Sequence, residues 1–201
     1  MSEMNIRKQR IIDAAIEVLK EDSIEETTVR KIALKAGLTT GALYHHYKSK
    51  DEILFDVMKQ SFQFTHKMVE AVRNEKRSKK GKELLSEIVS EVTKRLSKVE
   101  EQKLHILLFN NVIAKNSEIK EKYQNNYSEI INNTANLFDD AFEIENNQYK
   151  KEVASILVAA IDGIAMQQAL GILPEDLKKM IETFNSFFVE SIPLFLKNHK
   201  E

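Results

Sequence analysis

The stretch AGLTTGALYHHYKSKDEIL, residues 36–54, places three helix boundaries in a short span. Gly37 is the residue type that ends a helix in a left-handed turn. Thr39 or Thr40 can cap the helix that follows it. Ser49 and Glu52 form an S-x-x-E capping box that opens another. A helix, a tight turn at Ala36-Gly37-Leu38 and a short helix make a helix-turn-helix outline.

Working outward, the helical period continues in both directions. Residues 7–20 put Ile11, Ala15, Val18 and Leu19 on one face of a first helix. Residues 22–26 read as a loop. Thr27 or Thr28 can cap a short second helix with Ile32, Ala33 and Ala36 inward. The third helix runs from the threonines through Tyr47. The fourth, about 51–73, carries Leu54, Phe55, Met58, Phe62, Thr65, Val69 and Val72 on one stripe. It decays into RNEKRSKKGK, residues 73–82, which read as a solvated basic loop rather than a contact surface.

Five further helices are predicted at about 83–98, 101–115, 118–142, 148–170 and 175–198. Gly171 ends the fourth of these, and Pro174 with Glu175 and Asp176 starts the last. Pro193 should kink or break it. No strand, repeat or low-complexity tract emerges. The expected fold is all-α with about nine helices.

Composition agrees. The chain has 201 residues, 42% of them hydrophobic, enough for a substantial core, with only five Gly and two Pro. It has no Cys, so disulfides and Cys-ligated metals are excluded, and a reducing compartment fits. MSEMNIRKQR lacks the apolar segment of a signal peptide. The longest apolar run, near 153–173, is broken by Asp162, Gln167 and Gln168, short of the roughly 18 residues of a membrane span. The expected location is cytoplasmic, with no membrane partner.

Charge is uneven. Residues 1–50 hold nine Lys/Arg and seven Asp/Glu, residues 51–82 hold eight and five, and the remainder 13 and 19. A mildly basic N-terminal part joins an acidic remainder, which permits nucleic-acid binding without establishing it.

Leu43 and Tyr47 share one face of the third helix and should pack on Ile32, Ala33, Leu38 and the first helix. The opposite face presents Thr39, Thr40, Gly41, Ala42 and His45, small enough for the helix N-terminus to approach the floor of a major groove. Tyr44, His46, Lys48 and Lys50 lie toward the groove edges, where phosphates run. His45 and His46 project about 100° apart and do not converge on a metal.

At these residues the chain resembles the TetR family of bacterial transcriptional regulators. The matching residues are Thr28-Val29-Arg30-Lys31-Ile32-Ala33, then Ala36-Gly37-Leu38, then the run from Thr40 through Tyr44, His46, Lys50 and Leu54. The likeness covers about residues 7–55. One departure is Tyr47, where the family usually has Phe, and its hydroxyl must reach water or a partner. Beyond this part the resemblance is one of helical layout and length.

The resemblance implies a DNA-binding domain over residues 1–50, joined by the fourth helix to a ligand-binding and dimerisation domain over 51–201. It implies a homodimer reading a pseudo-palindromic double-stranded operator, with half-sites roughly 34–36 Å apart or a multiple of that. It also implies a small-molecule effector that changes the separation of the two heads. By family position Arg30, Thr39, Thr40 and His45 face bases. Thr28, Tyr44, His46, Lys48 and Lys50 match phosphate-side positions, and Gly41 allows close backbone approach.

In the C-terminal part, Ala159, Ala160 and Gly163 permit close helix approach. With Phe184, Phe187 and Phe188 they suit an antiparallel four-helix dimer interface; an ordinary intrachain core is the other reading, and the two are compatible. Candidate effector contacts are Phe62, His66, His105, Phe109, Tyr127, Phe142 and Met166. Met68, Leu108, Phe138, Asn111, Tyr123 and Gln167 are further wall candidates. Asp162 is more simply paired or edge-exposed than aimed at a ligand.

The sequence therefore points to a homodimeric repressor released by a small molecule. The alternative is a constitutive DNA-binding or activator protein whose C-terminal part only dimerises. No Cys nucleophile, Gly-rich phosphate loop, metal cluster or Ser/His/Asp arrangement supports an enzyme, and no cofactor or metal is called for. The operator, its genes and the effector are not legible.

Overall fold

The computed structural model describes residues 3–60, 86, 94, 96, 98–114, 118–142, 147–173 and 176–199. Among them the chain is helical, with no strand. The elements are α1 (Glu3–Glu21), α2 (Val29–Lys35), α3 (Thr40–Tyr44), α4 (helical over 50–60), α5 (Val99–Ala114), α6 (Glu118–Phe142), α7 (Lys150–Ala169) and α8 (Leu177–Asn198). Most of the helix expected at 83–98, and the loop at 73–82, lie outside the described residues.

Two compact units divide the chain. The first takes Met1–Gln63 together with Leu104–Gln124, and the second takes Phe64–Lys103 with Asn125–Glu201. The late segment of the first unit was not foreseen. Helices α5 and α6 each contribute to both units.

In the first unit α1 packs on α2 and α2 on α3. Ile11, Ile32, Leu43 and Ile53 are fully buried, with Ala15, Ala33, Tyr47 and Leu54 around them. Each fully buried aliphatic side chain contributes about 1.5–3 kcal/mol. Thr28 caps α2 by accepting from the Lys31 N–H at 3.2 Å, and Thr39 caps α3 from the Ala42 N–H at 3.1 Å. Between them Gly37 adopts φ +63°. Its N–H donates to Leu34 O at 3.0 Å and the Leu38 N–H to Ala33 O at 2.9 Å. This is a Schellman turn, which satisfies the last carbonyls of α2 and redirects the chain.

Thr27, the other candidate cap, is buried and its hydroxyl donates to Ser23 O at 2.8 Å. The third helix is shorter than expected: α3 ends at Tyr44, and a turn with His46 and Tyr47 N–H groups both on Leu43 O carries the chain onward. Ser49 accepts from the Glu52 N–H at 3.2 Å, the first half of the capping box. Glu52 reaches back at 2.7 Å to the N–H of Lys48, one residue earlier than the box prescribes.

In the second unit the stripes of α7 (Ala154, Leu157, Ile161, Ile164, Ala165) and α8 (Ile181, Phe184, Phe188, Ile192, Leu196) bury one another, with Leu137 and Phe138 of α6. Gly171, φ +69°, closes α7 in the same Schellman pattern as Gly37, with Ile172 N–H on Gln167 O and Gly171 N–H on Gln168 O, both at 3.0 Å. Asp176 itself caps α8, accepting from the Lys179 N–H at 2.9 Å; Pro174 and Glu175 lie outside the described residues. Helix α8 runs through Pro193 without a break, contrary to the stronger expectation. Asn147 is buried and closes its far end, donating to Leu196 O at 2.9 Å while accepting from the Tyr149 N–H at 2.9 Å.

Candidate nucleic-acid interface

A five-residue helix is too short to persist alone. Leu43, fully buried, and the Thr39 cap fix α3 against the head core. That leaves its other face outward. Thr39, Gly41, Tyr44 and His45 are exposed, Tyr44 at 52%. Thr40 and His46 are half-buried, and Thr28, Arg30 and Lys48 are exposed around them. Of the sequence candidates, Thr39 to His45 sit on α3 or at its ends, His46 and Lys48 follow it in the chain, and Thr28 and Arg30 sit at the start of α2, which packs on α3.

Capping constrains what the threonines offer. Thr28 and Thr39 already accept from backbone N–H groups, so their hydroxyl hydrogens remain to donate. Phosphate oxygens, and the N7, O6 and O4 edges of bases, are acceptors. Gly41 is open: a Cβ there would meet only Thr39 Oγ1, at 4.0 Å.

Lys50 has a structural partner that its place in the sequence did not show. Its ammonium donates to Ile24 O at 2.7 Å, tying the start of α4 to the loop before α2. Two of its three hydrogens stay available. The Tyr47 hydroxyl finds its partner in Asp56, donating to Oδ2 at 2.9 Å, with the Lys8 ammonium 5.3 Å from the ring centroid. Burial, reinforced by the Asp56 carboxylate, pushes the Tyr47 phenol well above its ordinary pKa, so it stays protonated.

The head's other charges sort by side. Lys20 pairs with Glu17 at 3.0 Å, Lys31 with Asp22 at 2.7 Å and Lys35 with Glu21 at 3.5 Å. The Lys20 hydrogen bond holds the exposed Glu17 carboxyl below its usual range. Such exposed pairs stabilise little, but they neutralise the region where the end of α1 faces α2. Arg30 and Lys48 make no ion pair among the described residues.

The C-terminal candidates are placed differently. His105 is buried, its Nε2 3.5 Å from the Tyr123 hydroxyl, and the Tyr123 ring lies 5.3 Å from that of Phe109. These three meet within the first unit. Also within it is a cleft of about 10 Å³, the size of one water, lined by Asp51, Leu54, Phe55, Met58, Leu108, Asn111, Val112 and Ile119. Tyr127 is half-buried and Met166 exposed at 49%. Phe62, His66 and Met68, and the side chain of Phe142, lie outside the described residues.

Phe184 and Phe188 sit in the core of the second unit, their rings 4.6 Å apart, whereas Phe187 is 62% exposed. Ala159 is exposed and Ala160 and Gly163 half-buried; a Cβ on Gly163 would meet nothing within 4 Å. Ile156, Met166 and Leu170 continue the outward apolar stripe of α7, and Leu194 that of α8. Among the described residues no helix is long and apolar enough to cross a membrane, and no group of His, Asp and Glu could hold a metal.

Helix, left-handed turn and short outward-facing helix on a buried three-helix base define a helix-turn-helix protein. Known proteins narrow the class. Residues 11–57 match the family of bacterial regulatory proteins named for tetR. A fatty acid metabolism regulator protein of Bacillus subtilis (strain 168) is 34% identical over 80 residues, 39% of this chain and 41% of that protein. A solved chain from Mesorhizobium loti MAFF303099 shares the fold with a TM-score of 0.77 over 95% of this chain and 96% of its own, at 17% identity. The transcriptional regulator FadR from Bacillus subtilis, solved with stearoyl-CoA, superposes with a TM-score of 0.72 at 22% identity, over 92% and 98% of the two chains. The likeness to that family is one of sequence over residues 11–57, the helix-turn-helix part, and one of fold over most of the chain. In sequence it spans about two fifths of the length of the Bacillus relative it matches.

Proposed function

We propose that this protein is a sequence-specific DNA-binding transcriptional regulator, a homodimer released from its operator by a small molecule. The carrying observation is α3: a helix fixed from behind by Leu43 and offering Thr39, Gly41, Tyr44 and His45 outward, with the exposed Arg30 at the start of α2 and Lys48 just after α3, neither in an ion pair among the described residues. In this reading Arg30, Thr39, Thr40 and His45 read base edges. Thr28, Tyr44, His46, Lys48 and the two remaining donors of Lys50 hold phosphates. Residues 1–50 form the reading head and 51–201 the regulatory and dimerising part. The protein is not an enzyme and works in the cytoplasm, where bacterial DNA is.

The dimer surface is the outward stripe of α7 and α8, with Ile156, Ala159, Gly163, Phe187 and Leu194. Apolar faces of this kind, left uncovered on one protomer, support a two-fold pairing of helices. The effector shifts the population of head spacings, lowering operator affinity by a coupling energy of about 1–3 kcal/mol. A long-chain acyl-CoA is the first effector to try, since FadR was solved with one.

The test is anisotropy titration against DNA tiled from beside the gene, with random competitor. One fragment bound tightly by two protomers, and released by an effector, is the expected result. Equal, weak binding to every fragment counts against sequence-specific recognition. Operator affinity unchanged by every molecule that binds the protein removes the induced-release reading and leaves the constitutive alternative.

A further inference from the structure

The sequence reading confined DNA contact to residues 28–50. One cation outside that span has the same setting as those within it. Arg10, on the first half of α1, is exposed and makes no ion pair or hydrogen bond among the described residues. Its guanidinium rests on the turn before the recognition helix: a Cβ added to Gly37 would stand 2.5 Å from Arg10 Nη2. Gly37 lies two residues before Thr39, the cap of α3. The guanidinium thus lies beside the turn that leads into the N-terminus of α3, the end a reading helix turns toward DNA.

The charge distribution points the same way. Lys20, Lys31 and Lys35 are each matched by a carboxylate, and Lys50 by a carbonyl. Among the described residues Arg10 is left unmatched, like Arg30 at the start of α2 and Lys48 just after α3. An arginine keeps its charge at any working pH and offers a planar fork of donors that fits a phosphate. Gly37 matters here for a second reason: without a side chain it leaves room for the Arg10 Nη2 to approach the turn end-on.

We propose that Arg10 is a further phosphate-binding residue, reaching from α1 across the Gly37 turn to the DNA strand beside the N-terminus of α3. The proposal rests on the DNA-binding reading above. It concerns the sequence-independent part of the affinity, so no operator is needed to test it.

The probe is a mixed-sequence duplex of roughly 30 base pairs, titrated by anisotropy over a range of salt concentrations. Wild type, R10A and R10K are compared, with thermal midpoints measured on each. Loss of one phosphate contact lowers the slope of log affinity against log salt by about 0.9 and weakens binding roughly fivefold to tenfold near 0.1 M salt. R10K, retaining the charge, should recover most of the slope. An R10A slope equal to wild type overturns the proposal. So does weakened binding with an unchanged slope and a lowered thermal midpoint, which would make Arg10 a support for the turn. Wild-type protein that bound no duplex at low salt would instead remove the DNA-binding reading itself, and the contact with it.

Discussion

Gly37 and Gly171 perform the same task in the two units. Each sits at positive φ one residue past a helix C-cap, with the same pair of backbone hydrogen bonds. Their surroundings differ. Gly37 leads within two residues into the cap of α3 and carries the Arg10 guanidinium against it. Gly171 has nothing within 4 Å of its would-be Cβ, and the residues beside it, Leu170 and Ile172, are about two thirds exposed. One local signal thus ends a helix wherever it occurs. What the turn serves depends on what the rest of the chain brings to it.

The largest expected effect tests whether the head depends on its core as a whole. Leu43→Ala should cost about 2–5 kcal/mol in chemical denaturation and abolish DNA binding, because α3 has little else to hold it. Wild-type binding at permissive temperature would show that α3 is organised by its cap alone.

Next comes the outward face of the second unit. Phe187→Asp replaces an exposed side chain and should leave protomer stability within about 0.5 kcal/mol. Sedimentation should show the proposed dimer giving way to monomer, at a cost to association of about 2 kcal/mol or more. A Phe187→Asp protein that remained dimeric would move the interface elsewhere.

The glycine comparison is sharpened by paired substitutions. Gly37→Ala and Gly171→Ala should each cost about 1–2 kcal/mol, since both force alanine into the left-handed region. The costs should be similar, because Arg10 is the flexible end of a side chain and can move aside. Only Gly37→Ala should also lower DNA affinity. Equal effects of both on DNA binding would erase the distinction between the two turns.

The smallest effect concerns Tyr47. Its pKa is raised in the folded protein, so the unfolded chain loses its phenolic proton first as pH rises. The stabilisation is fully present below the ordinary phenol value, about pH 10, and drains away above it. Urea midpoints should therefore fall more steeply above that pH for wild type than for Tyr47→Phe. Parallel pH profiles would mean that the buried phenol does not contribute to the pH dependence.

Much of the fold was legible because its signals are local. Thr28, Thr39 and Ser49 act on N–H groups three residues away, and glycine at a helix end is selected by backbone sterics. The apolar stripes of α7 and α8 repeat at helical spacing, so their ranges could be read to within about two residues. Less of the candidate site was legible. Of the face expected to point outward, Thr39, Gly41 and His45 are exposed, while Thr40 and Ala42 are half-buried. Nothing near Lys50 in sequence announces that its ammonium is tied to Ile24 O, 26 residues back. Asp56 as the partner of Tyr47, and Arg10 upon Gly37, escaped for the same reason.

By itself, then, the sequence determined the ranges of α7 and α8 to within about two residues, the caps at Thr28, Thr39 and Ser49 and the turns at Gly37 and Gly171, because each follows from interactions within a few residues. Tertiary structure alone decided that Leu104–Gln124 joins the head's unit, that Asn147 closes α8 from 49 residues away, and that Lys31 pairs with Asp22 and Lys50 with Ile24 O. Those outcomes depend on which side chains a folded chain brings within a few ångströms, and helical periodicity carries no record of that distance.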